Sequence, residues 1–460
     1  MKQIKFAIII MLVQWSIVTR AQPDENDAKM IRKIYDESLI NGQSYKWLHD
    51  LCFNIGHRLS GSEQAQKAVY WAKSVMDSLG FDKVYLQEVM VPHWVRGPKE
   101  QMYYTLNGKT ENFNVIALGN SAGTPPLGIA APIIEVKSLE ELNKLGREKV
   151  QGKIVFCSRP FDPTPIETFN SYGGCVDQRS QGPNEAAKLG ALGCIVRSMT
   201  HAHDDFPHTG NTRFEEGVTP IPAIAISTKD ADKLSNLIKK YDKLKFTIKL
   251  GCKTLPDVLS YNVIGEIRGS EFPNDYIITG GHLDSWDVGH GAHDDGAGCV
   301  QSMDALRLLK RCGIKPRHSI RAVLFMNEEN GLKGALKYFE EAMSKNENHI
   351  LAIETDAGGF SPRGFGFENN KEKWTLVKQW APLFEPYQLH RWGEDGSGAD
   401  ISPFRDKTKC LLAGLRPDSQ RYFDYHHADS DTFDKVNRRE LELGSAAIAA
   451  LIYLYDRYGR

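Results

Sequence analysis

Tyr276-Ile-Ile-Thr-Gly-Gly-His282-Leu-Asp284-Ser-Trp-Asp-Val-Gly-His-Gly-Ala-His-Asp294-Asp295-Gly-Ala-Gly298 opens as a short apolar run, breaks at Gly280-Gly281, and crosses a loop of small residues to Asp294-Asp295-Gly. Helical periodicity begins there, so the stretch reads strand, loop, helix. In open α/β sheets ligands sit beyond the carboxyl ends of the strands, which places His282, Asp284 and Asp294 where chemistry is done.

Outward from this stretch, later apolar runs end the same way. Ile320–Met326 finishes at Asn327-Glu328-Glu329, and Ile350–Thr355 finishes at Asp356. Tyr422-Phe-Asp-Tyr closes at His426-His427 and leads to Asp431-Thr432. Imidazole and carboxylate together suit a borderline divalent metal such as zinc. Two zincs roughly 3.5–4 Å apart need a bridging carboxylate and further ligands on each side. The inventory assigns Asp294 as the bridge, His282 and Asp356 to one metal, and Glu329 and His427 to the other. Glu328 is left beside the site, where a free carboxylate can act as general base and then general acid.

This pattern resembles the zinc-dependent exopeptidases of the aminopeptidase and glutamate carboxypeptidase family, over nearly the whole chain after the leader. The resemblance implies two zinc ions on His282, Asp294, Glu329, Asp356 and His427, with Glu328 as the acid/base. It implies that Asp284 orients the His282 ring and that the Asp294-Asp295 peptide is cis. The family places its last ligand four residues before an acid and five before Thr, which selects His427. Many relatives carry Tyr just before that ligand to help the oxyanion; here the position is His426, which is expected to donate to the tetrahedral intermediate. The expected reaction is hydrolysis of short peptides, dipeptides with free termini in particular. A broad aminopeptidase is the alternative, followed by a glutaminyl cyclase and a non-catalytic binding module on the same plan. Relatives imply a homodimer.

The expected fold is α/β: a three-layer α/β/α exopeptidase domain with a largely parallel, mixed central sheet, plus an inserted domain. The catalytic parts are read as residues 22–118 and 257–460. The composition shifts near Gly119 and back near Lys253, which sets the insertion at 119–256. Its strands at Ala131–Val136, Lys153–Cys157, Gly193–Arg197, Ile221–Ile226 and Lys245–Leu250 resemble the protease-associated domain of several members. Within it, the polar loop His201-Ala-His-Asp-Asp-Phe-Pro-His208 reads as solvated, with reach over the cleft or metal binding as the other readings.

Residues 1–21 read as a secretory signal peptide: Lys2 and Lys5, an apolar run Phe6–Val18, and small residues at Thr19 and Ala21. The expected location is therefore exported, periplasmic or secreted, with no membrane span once the leader is cut. With 57 basic and 58 acidic residues and a net charge of -1, nothing draws the chain to nucleic acid. The 8 cysteines are scattered; Cys157, Cys175 and Cys194 fall close enough to include a pair, and Cys299 reads as a small buried hydrophobe. Asp24 to about Leu39 reads as a helix, removable or loosely packed. His57 and Arg58 read as holding a turn, with lining of the substrate cleft as the other reading. The Gly-rich loop Gly393–Ile401 contributes Ser397 and Asp400 as substrate candidates, against a reading as a flexible connection.

Overall fold

Two eight-stranded mixed sheets organise the chain. The computed structural model describes residues 23–459, so the leader expected at 1–21 lies outside the described residues. In the first sheet the strand order is Lys83–Val95, Lys253–Ile267, His318–Phe325, Phe272–His282, Asn348–Glu354, Leu411–Pro417, Pro362–Glu368, Arg391–Gly393. The four strands from His318–Phe325 to Leu411–Pro417 run parallel, and antiparallel neighbours flank them.

The inner strands are runs of Ile, Leu, Val and Ala buried on both faces, as a parallel sheet covered by helices demands. Successive side chains part to opposite sides. Ile277, Ile320, Leu324 and Leu351 enter the core under helices Ser44–Asn54, Ala297–Arg311 and Arg438–Tyr458. Ile278, Val323, Phe325 and Ala352 meet Ala335 and Tyr338 of helix Lys333–Ser344 on the other side. The result is the expected three-layer α/β/α arrangement.

Helix Glu25–Asn41 corrects one expectation. Sequence suggested a loose or removable segment, yet Ile31, Ile34 and Tyr35 are fully buried against the closing helix Arg438–Tyr458. Asp24 caps its N-terminus, and the Asp27 carboxylate accepts from the hydroxyls of Tyr453 and Tyr458, each at 2.7 Å.

The second sheet has the order Lys109–Phe113, Gln101–Leu106, Lys245–Lys249, Ile129–Val136, Ile154–Cys157, Gly193–Arg197, Ala223–Ile226, Val115–Ala117. It takes in the strands between 101 and 117, ahead of the composition shift at Gly119. Those strands join at Asn107-Gly108, both with positive φ, the Asn-Gly signature of a tight hairpin. All eight cysteines are free and buried. Cys157 and Cys194 face each other across adjacent strands with their sulfurs 4.0 Å apart, and no disulfide joins them.

Candidate metal centre

Each candidate ligand leaves the first sheet or its crossover loops at the carboxyl ends of the parallel strands. His282 is the last residue of its strand. The Asp295 carboxylate accepts from His282 N at 3.1 Å and Gly298 N at 2.9 Å, tying that strand end to the first turn of the next helix. Asp431 accepts from the backbone of His293 at 2.8 Å and Asp294 at 3.1 Å and so sets Asp294 in place. The Asp294-Asp295 peptide is cis.

Side chains separated by up to 145 positions converge here. His282 Nε2 lies 3.2 Å from Asp294 Oδ1 and 3.7 Å from Asp356 Oδ1. His427 Nε2 lies 3.2 Å from both Asp294 Oδ2 and Glu329 Oε2. Two triplets, each with one imidazole and two carboxylates, therefore share Asp294 through its two oxygens. His426 Nε2 also approaches Asp294 Oδ2, at 3.7 Å, but of these two adjacent histidines His427 is the one paired with Glu329.

The charge balance of this cluster calls for a cation. Burial alone would lower His282, but the Asp294 and Asp356 carboxylates override it and hold the imidazole well above its ordinary value. Burial likewise opposes charge on His427, yet Glu329 and Asp294 raise it to about 9. Burial pushes Glu329 up to about 7, with the Asp294 charge adding to it. Asp294 Oδ2 is buried and accepts no well-formed hydrogen bond among the described residues. Converging nitrogen and oxygen donors around an unsatisfied carboxylate fit a borderline divalent cation such as zinc.

Glu328 stands beside the cluster, partly buried and lining a cavity of about 420 Å³ together with Asp294, Glu329, Asp356, His426 and His427. Burial, then the charges of Asp356, Glu329 and Asp294, push its carboxyl well above the usual range. Asp284 acts differently from the expectation. Its backbone carbonyl, not its carboxylate, lies 2.9 Å from His282 Nδ1; the carboxylate oxygen is 3.9 Å away. The carboxylate instead accepts from the N–H groups of Asn327 at 2.7 Å and Glu328 at 3.2 Å, so it aims Glu328.

His426 lines the cleft with its ring stacked on His427, centroids 3.5 Å apart. Tyr422, which sequence reading passed over, lines the same cleft and brings its hydroxyl to 3.4 Å from Asp356 Oδ1. Ser397 faces an adjoining cavity of about 310 Å³ that reaches Asp356, with its hydroxyl bound to Glu368. Asp400 does not line either cavity. It is 1 % exposed, because the backbone of its loop folds over Glu354 and Ile401 N bonds the Glu354 carboxylate at 2.9 Å.

Arg58 does more than hold a turn. Fully buried, it donates to Leu283 O at 2.6 Å, His290 O at 2.9 Å and Gly291 O at 3.0 Å, bracing the loop between His282 and Asp294. Arg96, ahead of the second sheet, grips Asp287 in the same loop. Of the loop 201–208, His201, His203 and Asp205 are exposed, as a solvated loop predicts, whereas His208 is buried and bonds His426 O at 2.7 Å.

The pattern of peptidase family M28 matches residues 262–452. Carboxypeptidase Q of Homo sapiens is 34% identical over 93% of this chain and 88% of that protein. The crystal structure of a peptidase M28 precursor from Shewanella amazonensis aligns with a TM-score of 0.89 and 34% identity, covering 95% of this chain and 98% of that one. A zinc aminopeptidase from Bacillus subtilis shares the fold, with a TM-score of 0.65 and 18% identity over 89% of this chain and 94% of that one.

Proposed function

This chain belongs to peptidase family M28 as a zinc metallopeptidase, and from that premise we propose that it is an exported exopeptidase that hydrolyses dipeptides with free termini. The observation that carries the reading is the pair of imidazole–carboxylate triplets sharing Asp294, with Glu328 free beside them. His282, Asp294 and Asp356 would hold one zinc, and Asp294, Glu329 and His427 a second. When bound, zinc supplies Lewis-acid polarisation of the scissile carbonyl and acidifies water toward neutrality.

The side chains then divide the work. Glu328, aimed by the Asp284 contact to its backbone, takes a proton from the attacking water and returns it to the departing amine. His426, kept neutral by burial and the neighbouring His427, retains a ring N–H to donate to the tetrahedral oxygen. Tyr422 O–H is a second donor on the same wall. Substrate length is limited by the second unit, meaning the second sheet with the helices and loops between its strands, whose Phe169, Tyr172 and Val176 roof the cleft against Tyr422 and Phe423. Arg213, exposed and with no carboxylate partner among the described residues, faces this cleft and suits a free substrate carboxylate.

The test is a panel of dipeptides, N-blocked and C-blocked dipeptides, and longer peptides given to the zinc-loaded protein. Release of free amino acids from unblocked dipeptides alone is the expected result. Efficient trimming of long peptides from the N-terminus would replace this reading with a broad aminopeptidase.

A further inference from the structure

We propose that the second unit completes the metal centre: its loop His208–Gly210, clamped by Arg179, orients the ligand His427. The inference rests on the functional reading above and concerns which part of the chain builds the site. His427 has φ 63°, a left-handed conformation that a non-glycine residue holds only when its surroundings impose it. Thr209 imposes it from two directions. Its N–H donates to His427 O at 2.8 Å, and its carbonyl lies 3.2 Å from His427 Nδ1. With the proton on Nδ1, donated to that carbonyl, the Nε2 lone pair would face Asp294 and Glu329, the tautomer a metal requires. The preceding residue adds a third contact, His208 Nδ1 to His426 O at 2.7 Å.

The loop is itself fixed within the second unit. Thr209 Oγ1 donates to Ala117 O at 2.7 Å. Arg179, 6 % exposed, places Nη1 3.4 Å from Thr209 O and 3.3 Å from His427 Nδ1, and donates from Nη2 to the Tyr172 hydroxyl at 2.6 Å. Gly210 follows with φ 134°, and a side chain there would run into the Arg179 guanidinium. Loop and clamp are fitted to each other, and what they hold is the imidazole of one half of the centre. Thr209, Arg179 and His208 are positioning residues acting through His427.

The experiment measures zinc binding to the full chain by chelator competition, with cobalt(II) absorption as a second readout of ligand geometry. In Arg179→Met and Thr209→Val one of two zincs is expected to weaken about 10–100-fold, the range for loss of a ligand's supporting hydrogen bond, with the other unchanged. Thr209→Ser, which keeps the Ala117 anchor, is expected to restore the unsubstituted affinities. Two zincs held as tightly as before would overturn the inference. Equal weakening of both would overturn it too, since the loop would then support the fold and not one ligand. Failure of the functional reading looks different: the unsubstituted chain would hold no zinc, and this inference would fall with it.

Discussion

The two imidazoles proposed as ligands are held in opposite ways. His282 is set mainly from nearby in the chain: its ring meets the carbonyl of Asp284 two residues on, its N–H meets Asp295, and Arg58 braces the loop beyond. His427 leans on residues more than 200 positions earlier, in the second unit. One half of the centre is local to the strand ends, and the other depends on how two sheets dock. The difference teaches that this site is not a property of the catalytic sheet alone.

The largest effect should come from the residue between the halves. Glu328→Gln is expected to lower kcat by about 10²–10⁴-fold, the range for general acid–base catalysis, while zinc content stays unchanged; a simultaneous loss of metal would show Glu328 to be a ligand and redraw both halves. Arg58→Met removes the guanidinium donor to three loop carbonyls on the His282 side, for a cost of about 2–4 kcal/mol read in chemical denaturation. If His427 is independently supported, that variant should weaken the zinc on His282 and Asp356 first.

A third prediction is a control remote from both halves. His349 is pushed down to about 3, first by burial and then by the Arg321 charge, and bonds Tyr338 at 3.0 Å. The folded state favours the neutral ring, so its contribution to stability is present above an unfolded value near 6.5 and is lost as pH falls toward 3. His349→Gln, which does not titrate, should remove up to about 1.4 kcal/mol per pH unit of that slope. An acid-unfolding curve of unchanged steepness would move the sensitivity to the metal centre. The smallest effect is Arg213→Gln, expected to raise KM about 10-fold for unblocked dipeptides, or ~1.4 kcal/mol, and to leave C-blocked substrates unaffected.

Much of the local half was legible in sequence, because strand period and strand ends are short-range signals. His282, Asp294 and Asp356 follow apolar runs and turn residues within a few positions, and Glu328 stands out as the acid left over. The residues of the distant half, Glu329 and His427, were named from sequence too, but what holds His427 was not legible. Nothing in His208-Thr209-Gly210 marks a loop that grips His427, since the contact is made by a backbone carbonyl that any residue supplies. Asp284 illustrates the same blindness at short range: the residue is where a supporting acid should be, but its carbonyl holds the ring and its carboxylate holds Glu328. The Asn107-Gly108 hairpin carried a signal that the composition shift at Gly119 masked. Asp400, polar in a Gly-rich loop, suggested a wall residue, and only the fold of that loop over Glu354 buries it.

Helix Glu25–Asn41 lies along Arg438–Tyr458, with Asp27 bound by two tyrosine hydroxyls from the other end of the chain. Processing that stops before Asp24 leaves this clasp whole, whereas a cut after Asn41 would strip Ile31, Ile34 and Tyr35 from the core and uncover a long apolar groove. The first and last helices thus act as a buckle, and a protein nicked there would lose its closure before it lost a single group that touches the substrate.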